Sequence, residues 1–184
     1  MGRGSILIER NIFSVKIYVL KGIRLFTNRN LSIKLIRIAD TLIKESGFRL
    51  IGYVIMPESF QIVIENNSET GSLPFLISRI KSVSGSDILD YLACNNKSLF
   101  SHPENIAKPN NVHPHGVVWE EGFEEEAVKN ERQLWKLLKY IHSLPVRFNL
   151  TGTPEEYEFS SARNYIEEDH SIIEIETEYT GMEM

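Results

Sequence analysis

The sequence has a single cysteine and lacks any long apolar run. Cys94 has no partner for an intramolecular disulfide, and a cysteine-rich zinc site is excluded. The longest apolar stretches, such as Leu50 to Met56, are well short of the roughly 20 residues that a membrane helix needs. The N-terminus does not have the layout of a signal peptide. We therefore expect a cytoplasmic protein with no membrane partner.

Motifs of several enzyme classes are also missing. Gly71, Gly85 and Gly116 do not form a phosphate loop, and the sequence has neither a nucleotide fingerprint nor a Ser-His-Asp set. Internal repeats and low-complexity segments are absent too. Nothing in the sequence therefore predicts a nucleotide-dependent enzyme or a serine hydrolase.

The length suits one globular domain with a tail. The chain has 184 residues, of which 42% are hydrophobic and 24% charged. From Glu155 onward it carries 10 of its 25 carboxylates. We predict one domain over residues 1–165 and an acidic C-terminal extension over residues 166–184.

The net charge of −5 hides an asymmetry between the two halves of the chain. Residues 1–100 have 13 basic and 8 acidic side chains, whereas residues 101–184 have 7 basic and 17 acidic ones. Phosphate binding depends on where charge is placed, so the basic half could bind nucleic acid. The alternative is that its cations belong to solvated helix faces. The predicted nucleic-acid-binding residues are Arg24, Arg29, Lys34, Arg79 and Lys81.

Apolar periodicity predicts alternating strands and helices. A period of two indicates strands, and spacings of three and four indicate amphipathic helices. We read the order as strand 13–26, helix 31–46, strands 48–56 and 60–65, helix 73–92, loop 95–114, strand 117–119 and helix 124–143. Pro145 is expected to stop the last helix. This order is typical of an α+β domain in which helices pack on one sheet.

Three segments, in order, resemble a known family. They are Tyr53 to Val63 (YVIMPESFQIV), Val118 to Arg147 (VWEEGF through KNER to YIHSLPVR) and Pro154 to Arg163 (PEEYEFSSAR). Together they are similar to the REP-associated tyrosine transposases, which belong to the insertion-sequence transposases with a His-hydrophobe-His motif and a single tyrosine. With the opening strand and helix, the match spans about residues 13 to 165.

The resemblance implies a fold and a chemistry. The fold would be a ferredoxin-like antiparallel sheet with helices packed mainly on one face. The partner would be single-stranded or hairpin DNA, bound by a monomer or a homodimer. The family nicks DNA with its tyrosine, holds a covalent 5′-phosphotyrosine and rejoins the ends; Tyr140 matches that nucleophile. A phenol with a pKa near 10 attacks a phosphodiester well only when a divalent cation polarises the phosphate.

The metal ligands of the family are replaced in this sequence. Ser59 and Gln61 stand where the two histidines belong, and Leu144 stands one turn after Tyr140, where the family often has Asn or Gln. A hydroxyl and a carboxamide are weak neutral ligands, and leucine cannot coordinate a metal. We therefore expect no cofactor, with Mg²⁺ or Mn²⁺ bound only if the site is still active.

Three functions remain open. The first is a DNA-binding protein without nicking activity. The second is an active transposase that builds an altered metal site from Glu58, Gln61 or a histidine from elsewhere in the chain. The third is a repurposed protein-interaction module, which the acidic C-terminal half suggests.

Several other polar residues are given structural roles. His113 and His115 are interpreted as loop histidines, and His142 as a surface residue of the last helix. The acidic run that begins at Glu120 is expected to stabilise the start of that helix through its dipole.

Overall fold

A four-stranded antiparallel sheet forms the centre of the fold. The structure is a computed structural model and describes residues 11–67, 71–95, 118–175 and 177. The sheet has the spatial order β2-β3-β1-β4. Its strands are β1 (Asn11–Tyr18), β2 (Phe48–Met56), β3 (Ser59–Asn66) and β4 (Glu124–Val128). The helices are α1 (Arg29–Glu45), α2 (Leu73–Asn95), α3 (Glu131–Arg147) and α4 (Ala162–Ile166).

The chain order places α1 between β1 and β2, and α2 between β3 and β4. This is the ferredoxin-like arrangement, because β3 lies between β1 and β2 and β4 pairs with the outer side of β1. Pro57 and Glu58 alone join β2 to β3, since Met56 pairs with Ser59. The predicted α+β class and the antiparallel sheet are confirmed.

Helices α1 and α2 cover one side of the sheet, called here the first face. Successive strand residues point to opposite faces, so the residues of β1 and β3 that join this core recur at every second position. They are Val15, Ile17, Phe60, Ile62 and Ile64. This core is the larger of the two.

Among the described residues, α3 is the long helix that covers the other side, called here the second face. Its Leu138 and Ile141 are buried together with Val54 and Val63 of the strands. Gly52 makes this packing possible, because a Cβ atom there would lie 2.5 Å from Leu138 Cδ2. The three long helices therefore divide two to one between the faces.

The outer edge of β2 is covered by the segment that follows α3. The Ile55 amide donates to the Phe159 carbonyl, and the Ser161 amide donates to the Tyr53 carbonyl, both at 2.9 Å. Covering an edge strand in this way removes its free backbone groups. Further along, Ile173 and Ile175 are buried in the first-face core. The domain boundary at residue 165 stays a prediction, and it is not marked by a loss of packing.

The helices α1 and α2 and the strands β2 and β3 were predicted within a few residues, but the opening strand was not. β1 ends at Tyr18, and two short 3₁₀ turns occupy Leu20–Gly22 and Leu25–Thr27. Lys21 has a φ of 56°, so the chain turns there in spite of its apolar composition. The predicted loop 95–114 lies almost wholly outside the described residues, as does residue 117 of the predicted strand 117–119. Of the two described residues of that strand, Trp119 forms an isolated bridge with Val19.

The last helix was predicted wrongly at both ends. Residues Glu124–Val128 form β4 rather than a helical turn, and Asn130 caps α3 by accepting from the Gln133 amide at 2.9 Å. Pro145 does not stop the helix, which continues to Arg147. A proline removes one backbone donor, and within the last turn the remaining bonds close the helix without it. None of the helices in the described residues is long and apolar enough to cross a membrane.

Candidate nucleic-acid interface

Ser59 and Gln61 lie on the second face, under the same helix layer as the predicted nucleophile. Phe60 between them is buried in the first-face core, so strand alternation directs its neighbours to the opposite side. Both side chains are buried. The Gln61 amide nitrogen donates to the Ser14 hydroxyl of β1 at 3.1 Å.

The donor set at these positions does not fit a divalent cation. The Gln61 amide is engaged with Ser14, and Leu144 is buried among apolar side chains that include Met56. Within the described ranges no group of three His, Cys, Asp or Glu residues converges. A serine hydroxyl and one carboxamide lack the negative charge and ligand number that Mg²⁺ requires.

Glu58 is the acidic residue suggested by the sequence for an altered metal site, and that role stays a prediction. It lies in the turn before β3, and its charge acts on Tyr157. Burial raises the pKa of Tyr157 to about 12, and the nearby Glu58 carboxylate contributes to that increase. The carboxylate is therefore close to the segment along the β2 edge.

Tyr140 is exposed on α3, with 46% of its surface accessible. The Arg147 guanidinium lies 5.3 Å from the centre of its ring, two helical turns further on. Among the described residues no hydrogen bond to the Tyr140 hydroxyl is present. The Tyr140 side chain is therefore partly accessible to a ligand.

Helical geometry fixes the side of α3 on which Tyr140 lies. His142 is two positions further along the chain and therefore about 200° around the helix. His142 contacts Ser161, and Ser161 binds the outer edge of β2, so the His142 flank faces outward past that edge. Tyr140 therefore lies on the flank of α3 that is turned away from His142 and Ser161.

His142 is buried, contrary to the prediction of a surface residue. Its Nε2 is 2.7 Å from the Ser161 hydroxyl, and its ring packs against Tyr165. Burial lowers the pKa of His142 to about 4. Segment 157–165 approaches α3 from a distance in sequence, which is why helical spacing alone could not reveal this contact.

The predicted nucleic-acid-binding residues lie elsewhere. Lys34 and Arg79 belong to α1 and α2, on the first face, and Arg29 begins α1. All three pair with acidic side chains: Arg29 with Glu158 at 2.5 Å, Lys34 with Asp87 at 3.0 Å and Arg79 with Glu45 at 3.2 Å.

The other two predicted cations differ from those three. The Lys81 ammonium donates to the backbone carbonyls of Glu120 and Gly122, and burial lowers its pKa. Arg24 is exposed in the turn between β1 and α1. The structure does not bring these five residues together with Tyr140, so their binding role stays a prediction.

A second set of cations, which the sequence analysis did not single out, lies on α3. All four are exposed, and at 100° per residue they fall within about 80° of one another around the helix. We call them the basic ridge: Arg132, Lys136, Lys139 and Arg147. In the part of the chain that the structure describes, none of them forms an ion pair with an acidic side chain. Tyr140 borders the ridge.

The acidic run does not stabilise a helix start. Glu124 and Glu126 alternate along β4, opposite Lys16 and Ser14 of β1. The Tyr18 hydroxyl donates to Glu124 at 3.0 Å. These carboxylates therefore border the second face, while His113 and His115 lie outside the described residues.

Comparison with known proteins identifies the fold. No protein-family model and no curated protein matches the sequence. Among solved structures, the chain is similar to a REP-associated tyrosine transposase bound to a REP hairpin, with a TM-score of 0.61 and 12% identity over 91% of this chain and 86% of that one. A candidate transposase from Deinococcus radiodurans R1 has a TM-score of 0.47 and 13% identity over 78% of this chain and 97% of its own. The fold implied by the sequence resemblance is confirmed: this chain has the fold of a REP-associated tyrosine transposase.

Proposed function

We propose that this protein binds single-stranded or hairpin DNA through the outer surface of α3, and that it does not nick and rejoin the strand. The observation that carries the proposal is the basic ridge, a row of exposed cations beside an exposed tyrosine. A row of cations on one helix can follow a phosphate backbone, and the protein's overall negative charge does not prevent this.

Charge pairing is more common on α1 and α2 than on α3, although Arg37 of α1 is exposed and forms no ion pair among the described residues. On α1 and α2, Lys34 and Arg79 are partly neutralised by neighbouring carboxylates. On α3, Glu131 at the N-terminus is the only acidic residue of the helix. Cations without an internal acidic partner have more to gain from a phosphate, because no existing ion pair must be broken.

The form of the DNA is inferred from the fold neighbour. That protein was solved bound to a REP hairpin. A hairpin offers both a duplex stem and unpaired bases, and the Tyr140 ring beside the ridge suits the unpaired part.

The absence of nicking is inferred from the chemistry of Ser59, Gln61 and Leu144. Tyrosine needs a cation on the scissile phosphate to act as a nucleophile, and these residues offer two neutral donors and one hydrocarbon. The Gln61 amide is also already bound to Ser14.

Binding is tested by fluorescence anisotropy with three labelled DNAs of equal length: a hairpin with unpaired flanks, a single strand and a blunt duplex. We expect the hairpin and the single strand to bind more tightly than the duplex. Four phosphate contacts in single-stranded DNA predict a slope of about −3 when log K is plotted against log salt concentration. No binding of any DNA at low salt, or affinity independent of salt, would contradict the proposal.

An active transposase is the second candidate, because Tyr140 is exposed on the same sheet face as Ser59 and Gln61. It is tested by incubating the protein with labelled hairpin DNA and Mn²⁺ and resolving the products under denaturing conditions. We expect no covalent adduct. An adduct formed by the natural protein and lost in Tyr140→Phe would establish this candidate and overturn the absence of nicking.

A further inference from the structure

We propose that Tyr140 is a stacking platform for an unpaired nucleobase, with Arg147 holding its ring in place and Phe148 offering a second ring. This inference rests on the proposed DNA binding and assigns Tyr140 a role that needs neither its hydroxyl nor a metal.

The first support is the exposure of two aromatic rings on one flank of α3. Tyr140 is 46% exposed and Phe148 is 61% exposed. They are eight residues apart, with the buried Leu144 midway between them. Phe148 is the residue that caps the C-terminus of α3, so at 1.5 Å and 100° per residue the two side chains lie roughly 12 Å apart along the helix and about 80° apart around it.

The second support is the position of Arg147. Its guanidinium lies 5.3 Å from the centre of the Tyr140 ring, which restricts the ring without burying it. Among the described residues, Arg147 pairs with no carboxylate. The same guanidinium can therefore also contact the phosphate beside a base stacked on Tyr140.

The third support is charge complementarity around the rings. The basic ridge lies along the adjoining surface of α3, so a strand whose phosphates follow the ridge would present its bases to Tyr140 and Phe148. A protein partner that buries exposed aromatic rings would favour apolar surroundings, whereas here Tyr140 borders the basic ridge and the Arg147 guanidinium lies over its ring. Single-stranded DNA is the occupant that matches both the charge and the rings.

The test compares Tyr140→Ala with Tyr140→Phe, using the hairpin with unpaired flanks and the blunt duplex. Tyr140→Phe keeps the ring and loses the hydroxyl, so stacking predicts affinity for the hairpin within about twofold of the natural protein. Tyr140→Ala should weaken hairpin binding on the order of 5- to 150-fold, the range that stacking of one base accounts for. Neither variant should change duplex binding, and equal melting temperatures will show that both are folded.

An abasic substitution identifies the base. We will move one abasic site along the unpaired flank of the hairpin. At one position it should weaken DNA binding by the natural protein and should not weaken DNA binding by Tyr140→Ala any further. Three results would overturn the inference. Tyr140→Ala could bind the hairpin like the natural protein, Tyr140→Phe could lose as much affinity as Tyr140→Ala, or the abasic and alanine effects could simply add. If the natural protein binds no DNA, the proposed function itself fails. In the three results above the protein still binds DNA, and only the stacking role of Tyr140 fails.

Discussion

At the scale of single residues, polar side chains close together on α3 differ widely in burial. His142 and Tyr140 are two positions apart on α3, yet one is buried against Ser161 and the other is exposed. The sequence identified Tyr140 through its resemblance, but it could not reveal the environment of either side chain. The environment of His142 depends on residues 157–165, which pack against the helix from the outer edge of β2.

His142 gives a pH-dependent prediction. Its pKa is lowered to about 4 by burial, from 6.5 in the unfolded chain. Between these values the unfolded state binds a proton that the folded state does not, so stability falls as the pH is lowered from 6.5 towards 4. The expected loss is about 3 kcal/mol.

The measurement is urea denaturation between pH 4.5 and 7, with His142→Gln as the control. The glutamine has no titrating ring, so the stability advantage of the natural protein over the variant should shrink as the pH falls. Parallel curves for the two proteins would show that His142 does not titrate in this way.

At the scale of elements, the helices and strands that could be predicted from the sequence are those whose apolar residues recur at regular spacing. α1, β2, β3 and α2 were found because their buried positions recur regularly along the chain. β4 was missed, since four of its five residues are exposed and three are glutamates. Only its pairing with β1 makes it a strand, and pairing between distant segments is not visible in local composition.

The contact between α3 and β2 depends on a glycine. A Cβ atom at position 52 would lie 2.5 Å from Leu138 Cδ2, so Gly52→Ala must displace the helix or its leucine. Such overpacking is expected to reduce the free energy of unfolding by about 1–3 kcal/mol.

Gly85→Ala is the matched control for Gly52→Ala. Gly85 lies within α2, and the nearest atom to an added Cβ there is 3.7 Å away, an ordinary contact. Alanine is the better helix former, so this change should raise stability by roughly 0.5–1 kcal/mol. Both are measured by denaturant unfolding; equal effects of the two substitutions would contradict the close packing of α3 on β2.

At the scale of the whole molecule, the helices on the two sheet faces differ in how often their cations are engaged by carboxylates or carbonyls. The residues that the sequence favoured for DNA binding lie mainly with α1 and α2 and are largely engaged by carboxylates or carbonyls. The cations of α3 are exposed beside Tyr140. Counting charge by halves of the chain could not separate these sets, because the basic ridge belongs to the half that is acidic overall.

From the sequence, the fold could be predicted through the resemblance, and so could a helix that carries Tyr140, although with wrong bounds. The surface that the helix presents could not. The incorrect helix start at residue 124 mixed β4 with α3, so that exposed glutamates obscured the basic ridge. Its recognition required the helix bounds and the side on which Leu138 and Ile141 are buried.

The most direct test of this account removes two positive charges from α3 and, in a second variant, two from the residues that the sequence favoured, and compares DNA affinity. Lys136→Gln with Lys139→Gln changes the basic ridge, whereas Arg24→Gln with Arg79→Gln removes the same charge from residues that the sequence favoured. Hairpin binding is measured for both double variants over a salt series. We predict that the α3 pair loses about tenfold or more in affinity and that the magnitude of its salt slope falls by about 1.5, while the other pair binds like the natural protein. The reverse result, with affinity lost only in the Arg24 and Arg79 pair, would contradict the assignment of DNA binding to α3.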